Sequence, residues 1–240
     1  MTLALPDGQR VYAVGDVHGM AHLLDRLLDA IDAHQAAAPE ALSIEVFLGD
    51  YIDRGPDSYG VIERLIEPPR HGRQRICLLG NHEEAMMLAL HDTAAMERWM
   101  SFGGEATMRS YGIDPHLSHR QPAALQPLLH AALPPAHLRF LESLPRMAEL
   151  GGLLFVHAGI RPGVAIDDQD PTDLVWIRDP FLDHEGTFPR HVVHGHTPVS
   201  RPDRRVFRTN IDTAAVFGGA LTCAVLEGDG AEFLSIPADS

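Results

Sequence analysis

Five short segments of this chain carry side chains that bind divalent cations, each beside glycine or another small residue. They are Gly15-Asp16-Val17-His18-Gly19, Gly49-Asp50-Tyr51-Ile52-Asp53-Arg54-Gly55, Gly80-Asn81-His82-Glu83, Val156-His157-Ala158-Gly159 and His194-Gly195-His196-Thr197. Carboxylate, imidazole and amide oxygen are donors that manganese, iron or zinc accept, so the set suits two hard or borderline cations. Glycine lets the backbone turn sharply and leaves room for a substrate. One such segment alone is ordinary turn chemistry, and turn capping is the alternative for Asp16, His18, Asp50, Asn81 and His82. Five in order, each after an apolar run, point to a metal centre.

The elements that must position these segments are legible in the apolar pattern. Arg10 to Val14 is a short apolar strand, and Leu23, Leu24, Leu27, Leu28 and Ile31 then recur at helical spacing. Ser43 to Leu48 is a second strand, and Ser58 is placed to cap a helix carrying Val61, Ile62, Leu65 and Ile66 that Pro68 and Pro69 stop. Arg75 to Leu79 is a third strand, with a helix over Glu83 to His91. Alternating strand and helix imply an α/β fold with a largely parallel sheet, whose ligands bind beyond the carboxyl ends of the strands. Thr93 to Pro145 is helical, broken by Pro and Gly, and is expected to form a cap beside the sheet. Leu153 to Val156, His191 to Val193, Arg205 to Arg208, Leu221 to Leu226 and Glu232 to Ile236 are further strands, predicting a second sheet packed on the first.

Bulk properties narrow the function. The 240 residues can bury one large core, so one domain is expected over residues 1–240. A formal charge of −14 argues against a surface built for nucleic acid, which needs clustered Lys and Arg. An acidic protein still takes an anionic substrate where metal cations and a few arginines line the pocket. No apolar run reaches membrane-spanning length and Met1 to Arg10 lacks a signal-peptide core, so the expectation is a cytoplasmic protein without a membrane partner. Cys77 and Cys223 sit in apolar stretches, where buried free thiols are expected. Among the 15 histidines, His22, His34 and His71 lie in polar or helical contexts and are expected at the surface.

The series GDVHG, GDYIDRG, GNHE, VHAG and HGHT resembles the phosphoprotein phosphatase family, within the calcineurin-like metallophosphoesterases. The match spans about Asp16 to Asp212, and Ile211 to Glu227 is similar to the bacterial and phage branch. The resemblance implies two packed mixed sheets flanked by helices, with a small helical cap. It implies that Asp16 and His18 bind a first metal, that Asp50 bridges, and that Asn81, His157 and His196 complete a second, with manganese the foremost candidate and iron or zinc possible. A hydroxide held between the metals would be the nucleophile. Arg54 would offer phosphate a bidentate fork, and Arg178 matches a second phosphate-binding arginine more loosely. His82 would protonate the leaving alkoxide while Asp53 holds its other ring nitrogen.

Some positions keep an alternative. His157 closes an apolar strand, where a satisfied core histidine is the alternative to a ligand; the small residues after it favour the ligand. His194 and His196 point to one side if the strand persists, and the Gly-His-Thr match favours His196, leaving His194 a supporting neighbour or a bystander. Pro198 stands where many wider metallophosphoesterases carry a further histidine, so the first metal has one protein ligand fewer. Tyr111 reads as core, while Trp176 is balanced between core and substrate groove. Phe102-Gly103-Gly104 reads as a loop and cap feature. Glu83 and Glu84 suit a helix start and take no catalytic role.

The leading expectation is a serine/threonine-type protein phosphatase acting on phosphorylated protein or small phosphate esters. The rival is a diadenosine tetraphosphate hydrolase, and a catalytically inactive scaffold is the reading from another class. Diadenosine enzymes resemble GDLVARG in the second loop, with alanine at the place of Asp53, and GNHD at the place of GNHE. A phosphate leaving group is less basic than a serine alkoxide and needs less protonation, so Asp53 favours the phosphomonoesterase.

Overall fold

The apolar strands and the amphipathic helices between them form two sheets with helices outside each. The computed structural model describes residues 5–38, 42–115 and 122–239. Strands β1 (Gln9–Val14), β2 (Leu42–Phe47) and β3 (Gln74–Cys77) pair in parallel. Parallel neighbours need crossovers, here through α1 (Ala21–Ala37) and α2 (Ser58–Ile66). Helix α1 buries Leu23, Leu24, Leu27, Leu28 and Ile31 on one face, each side chain worth roughly 1.5–3 kcal/mol on full burial. The cap of α2 differs from expectation: Asp57 accepts from the Gly60 N–H at 2.8 Å, because the Ser58 hydroxyl is buried against Asp53 and Thr107.

Helix α3 (Asn81–Ala89) starts two residues earlier than its pattern indicates, placing Asn81 and His82 in its first turn. Helices α4 (Thr93–Trp99), α5 (Glu105–Ser110), α6 (Leu125–Ala132) and α7 (Pro135–Glu142) follow on the same side, with part of the expected cap, residues 116–121, outside the described residues. The second sheet begins with β4 (Met147–Leu150), which had no expected strand, joined to β5 (Leu153–Val156) by a turn at Gly151 with φ +56°. Helices α8 (Pro171–Trp176) and α9 (Asp179–Leu182) precede β6 (His191–His194). Arg205 to Arg208 is not a continuous strand but the turn between β7 (Asp203–Arg204) and β8 (Arg208–Asn210), closed by Arg205 N donating to Arg208 O. The second sheet runs β4-β5-β6-β8-β7.

The last two strands depart from expectation. β9 (Ala220–Glu227) pairs antiparallel with β1, and β10 (Gly230–Pro237) pairs with β9 at the edge of the first sheet. Periodicity reports that a strand is buried, not which distant edge it joins. The first sheet is therefore mixed, in the order β10-β9-β1-β2-β3.

Alternation along the strands builds the layers. Val11 and Ala13 of β1 meet Ile44, Val46, Leu153, Phe155 and Val193 between the sheets, while Tyr12 and Val14 face the helical side. On the far face, Leu154 and Val156 pack on Leu174, Ile177 and Phe181 of the α8–α9 region. The carboxyl ends of β1, β2, β3, β5, β6 and β8 lead into the loops described next.

Candidate metal centre

Five strand ends deliver their side chains to one place. Asp16 and His18 follow β1, Asp50 follows β2, Asn81 and His82 open α3, and His157 and His196 follow β5 and β6. None of these seven residues is more than 5% exposed. The loops are strained to reach: of the seven described non-glycine residues with positive φ, five are His18, Asp50, Asp53, Arg54 and His196. Such conformations cost about 1–3 kcal/mol each and persist where the surroundings impose them.

Asp50 lies at the centre. Its Oδ2 is 3.5 Å from His18 Nε2 and its Oδ1 is 3.4 Å from His157 Nε2. Asn81 Oδ1 lies 2.9 Å from both His157 Nε2 and His196 Nδ1. Two groups of donor atoms, each within 4.8 Å of one another, share Asp50: one with His18 and His82, the other with His157 and His196. Asp16 belongs to neither group, since both its oxygens face the His196 N–H at 3.1–3.2 Å.

Supporting contacts fix which nitrogen faces inward. His18 Nδ1 is 2.8 Å from Ile52 O and His157 Nδ1 is 3.0 Å from Leu48 O, so both donate to backbone and leave Nε2 as the donor toward a cation. His196 turns Nδ1 toward Asn81 Oδ1, so Nδ1 is the nitrogen that would face a cation, while its Nε2 is buried without a hydrogen-bond partner among the described residues. Burial holds His18 and His196 well below the usual imidazole range and His157 down to about 3, so these three are neutral and ligand-competent. Burial and neighbouring carboxylates push Asp16 and Asp50 far upward. Neutral imidazoles around costly buried carboxylates fit two divalent cations.

Beside this cluster, His82 Nδ1 meets Asp53 Oδ2 at 2.6 Å, and its Nε2 is 3.9 Å from Asp50 Oδ2. Asp53 is fully buried, and burial raises it to about 7 although Thr107 and Trp99 donate to it at 2.6 and 2.8 Å. Arg54 is exposed, its Nη1 is 2.6 Å from His18 Nε2, and its guanidinium lies over the Phe217 ring. Arg178 is exposed at the start of α9, and its charge is felt at His157, His196 and Asp212.

The open positions now resolve. β6 ends at His194 and His196 adopts φ +65°, so the two histidines diverge: His194 packs edge-on against Phe181 and faces Arg208. Trp176 stands at the rim, 40% exposed, its ring 6.3 Å from His196 and 6.2 Å from Phe102. Tyr111 bonds His137 among the helices, as expected of a core residue. Gly103 is more than a loop residue, since its O accepts from Arg54 N and a Cβ there would lie 2.8 Å from Arg54 Cγ. His22 and His71 are at the surface, whereas His34 is half-buried between Tyr12 and Glu232. Both cysteines are free; Cys223 is buried as expected, whereas Cys77, in the edge strand β3, is only partly buried.

Three contributors were not foreseen. Glu83 is fully buried and accepts from the N–H groups of Asp50, Tyr51, Ile52 and Gly80 at 2.8–3.2 Å. Trp99 anchors Asp53 from a helix remote in sequence. Asp212 follows β8 as the other candidates follow their strands, and that position was the signal available in the sequence.

The sequence profile of the calcineurin-like phosphoesterases matches residues 9–219. The chain belongs to that family. It is thereby a metallophosphoesterase, of a family that is dinuclear and metal-dependent. Among relatives, serine/threonine-protein phosphatase 1 of Salmonella typhimurium is 29% identical over 230 residues, covering 91% of this chain and 93% of that one. Bis(5'-nucleosyl)-tetraphosphatase PrpE of a Geobacillus species is 28% identical over 236 residues, covering 89% of each. A crystal structure assigned to a diadenosine tetraphosphatase shares the fold with a TM-score of 0.66 at 23% identity, over 98% of this chain and 96% of that one. The family's members thus include enzymes named for phosphoprotein and for dinucleotide substrates, and no described helix is long and apolar enough to cross a membrane.

Proposed function

We propose that this chain hydrolyses phosphate monoesters with basic leaving groups, foremost phosphoserine and phosphothreonine in proteins. The observation that carries this reading is the His82–Asp53 pair, joined at 2.6 Å and buried, with Nε2 on the side of Asp50. A serine or threonine alkoxide needs a proton as it departs, and Asp53 orients the imidazole that would deliver it from Nε2. Arg54 and Arg178 would clamp the phosphoryl oxygens. Asp16, His18 and Asp50 would hold one cation, and Asp50, Asn81, His157 and His196 the other. Bound there, two divalent cations would neutralise phosphoryl charge and lower the pKa of the attacking water. Oxygen and imidazole donors without thiolate favour manganese, iron or zinc, with manganese the first to test. Helices from Thr93 to Glu142 would act as a cap, since Trp99, Thr107 and Gly103 support Asp53 and Arg54. Free cysteines suit a cytoplasmic location.

A second reading, hydrolysis of dinucleoside tetraphosphates, draws on the exposed rings of Trp176 and Phe217 at the rim, which offer faces to a nucleobase. One assay separates the two. Purified protein with added manganese is offered a phosphoserine peptide, a phosphotyrosine peptide, an aryl phosphate and diadenosine tetraphosphate. Phosphate release from the phosphoserine peptide is expected; exclusive cleavage of the dinucleotide overturns the first reading, and no turnover on any restores the inactive scaffold.

A further inference from the structure

We propose that Asp212 is a positioning residue of the metal centre, its Oδ2 accepting a hydrogen bond from a water ligand of the cation that Asp16, His18 and Asp50 would hold. The inference rests on the metal-centre reading above.

Asp212 is 4% exposed and held firmly by backbone contacts. Its N–H donates to Asn210 Oδ1 at 2.9 Å, and its carbonyl accepts from Val199 N at 2.9 Å. The preceding Ile211 carbonyl lies 2.4 Å from where a Cβ on Gly15 would sit, so this segment runs against the residue before Asp16. Gly195 is hemmed in by both acids, because a Cβ there would lie 2.1 Å from Asp16 Oδ1 and 3.7 Å from Asp212 Cβ.

The two oxygens of Asp212 differ in use. Oδ1 accepts from Ala214 N at 3.0 Å, while Oδ2 takes no hydrogen bond among the described residues. Asp16 and Asp212 therefore flank Gly195 together, two buried carboxyl side chains on one glycine. An asparagine would make the same Oδ1 bond to Ala214 without adding a second buried acid there. The turn therefore accounts for an Asx-type side chain, but not for its charge. A carboxylate placed beside a ligand carboxylate gains its reason from a cation between them. Groups in this outer position orient ligands, and losing one lowers metal affinity about 10–100-fold.

The test compares wild type with Asp212→Asn and Asp212→Ser, both of which keep an acceptor for Ala214. Manganese titration calorimetry on chelator-stripped protein should give two equivalents in wild type, one of them bound about 10–100-fold more weakly in both variants. Without metal, the variants should melt at or above wild type, since one buried acid is gone from the cluster; with manganese they should melt below it. Unchanged manganese affinity with an equal melting gain overturns the proposal. Variants that melt below wild type in the metal-free state would assign Asp212 to the turn alone and also overturn it. If wild type binds no manganese, the metal-centre reading itself fails.

Discussion

His82 sits where two roles meet, close enough to Asp50 to join a donor group and bonded to Asp53 as a general acid is. Asparagine at this position separates them. His82→Asn should lower kcat on a phosphoserine peptide by about 10²–10⁴, the usual worth of positioned proton transfer. The loss should be smaller on an aryl phosphate, whose phenolate needs less protonation. Metal content by elemental analysis should stay at the wild-type level; a lost equivalent would make His82 a ligand. His194 gives a pH signature. Burial lowers it to about 3, against about 6.5 in the unfolded chain. The unfolded state thus binds the extra proton below pH about 6.5, and this contribution to stability is complete above that pH and is lost as pH falls toward 3. His194→Gln should therefore have a shallower acid limb in denaturant titrations between pH 6.5 and 4.

At the scale of elements, the site depends on loops that glycines and one buried acid hold in register. Gly49 adopts φ +109°, and a Cβ there would lie 2.7 Å from the Gly80 backbone, so the loops after β2 and β3 touch directly. Glu83 ties the same loops by accepting four N–H groups from its place in the first turn of α3. It does this besides favouring the helix start. Glu83→Gln turns an amide N–H₂ toward buried donors, each left unsatisfied at about 1–3 kcal/mol. The variant should lose at least about 2 kcal/mol in denaturant unfolding, with weakened metal uptake because Asp50 is no longer fixed. Wild-type stability in that variant would remove Glu83 from this role.

Over the whole molecule, the cost of gathering Asp16, Asp50 and Asp212 falls on the metal-free fold. Each is pushed above its ordinary range by burial first, Asp212 to about 6. Divalent cations should therefore stabilise the protein strongly. At a concentration 100 times Kd the gain is about 2.7 kcal/mol per site, or roughly 5–11 °C in Tm for a chain of this length. Calorimetric scans with manganese and with a chelator measure it, and equal melting temperatures would count against a metal centre.

Much of this was legible in the chain itself. Apolar runs ending in Asp, His or Asn beside glycine placed the candidates at strand ends, because local sterics and hydrophobic periodicity act over a few residues. The early βα alternation, the buried thiol of Cys223 and the convergence of GDVHG, GDYIDRG, GNHE, VHAG and HGHT follow from that local code. Relations between distant segments were decided only by the tertiary structure. It put β9 beside β1, sent His194 and His196 apart through one residue of positive φ, and brought Trp99 and Thr107 onto Asp53. It also set Asp212 against Asp16, 196 positions apart by number. Those contacts depend on which surfaces meet when the layers close, and packing of that kind leaves no periodic trace along the chain.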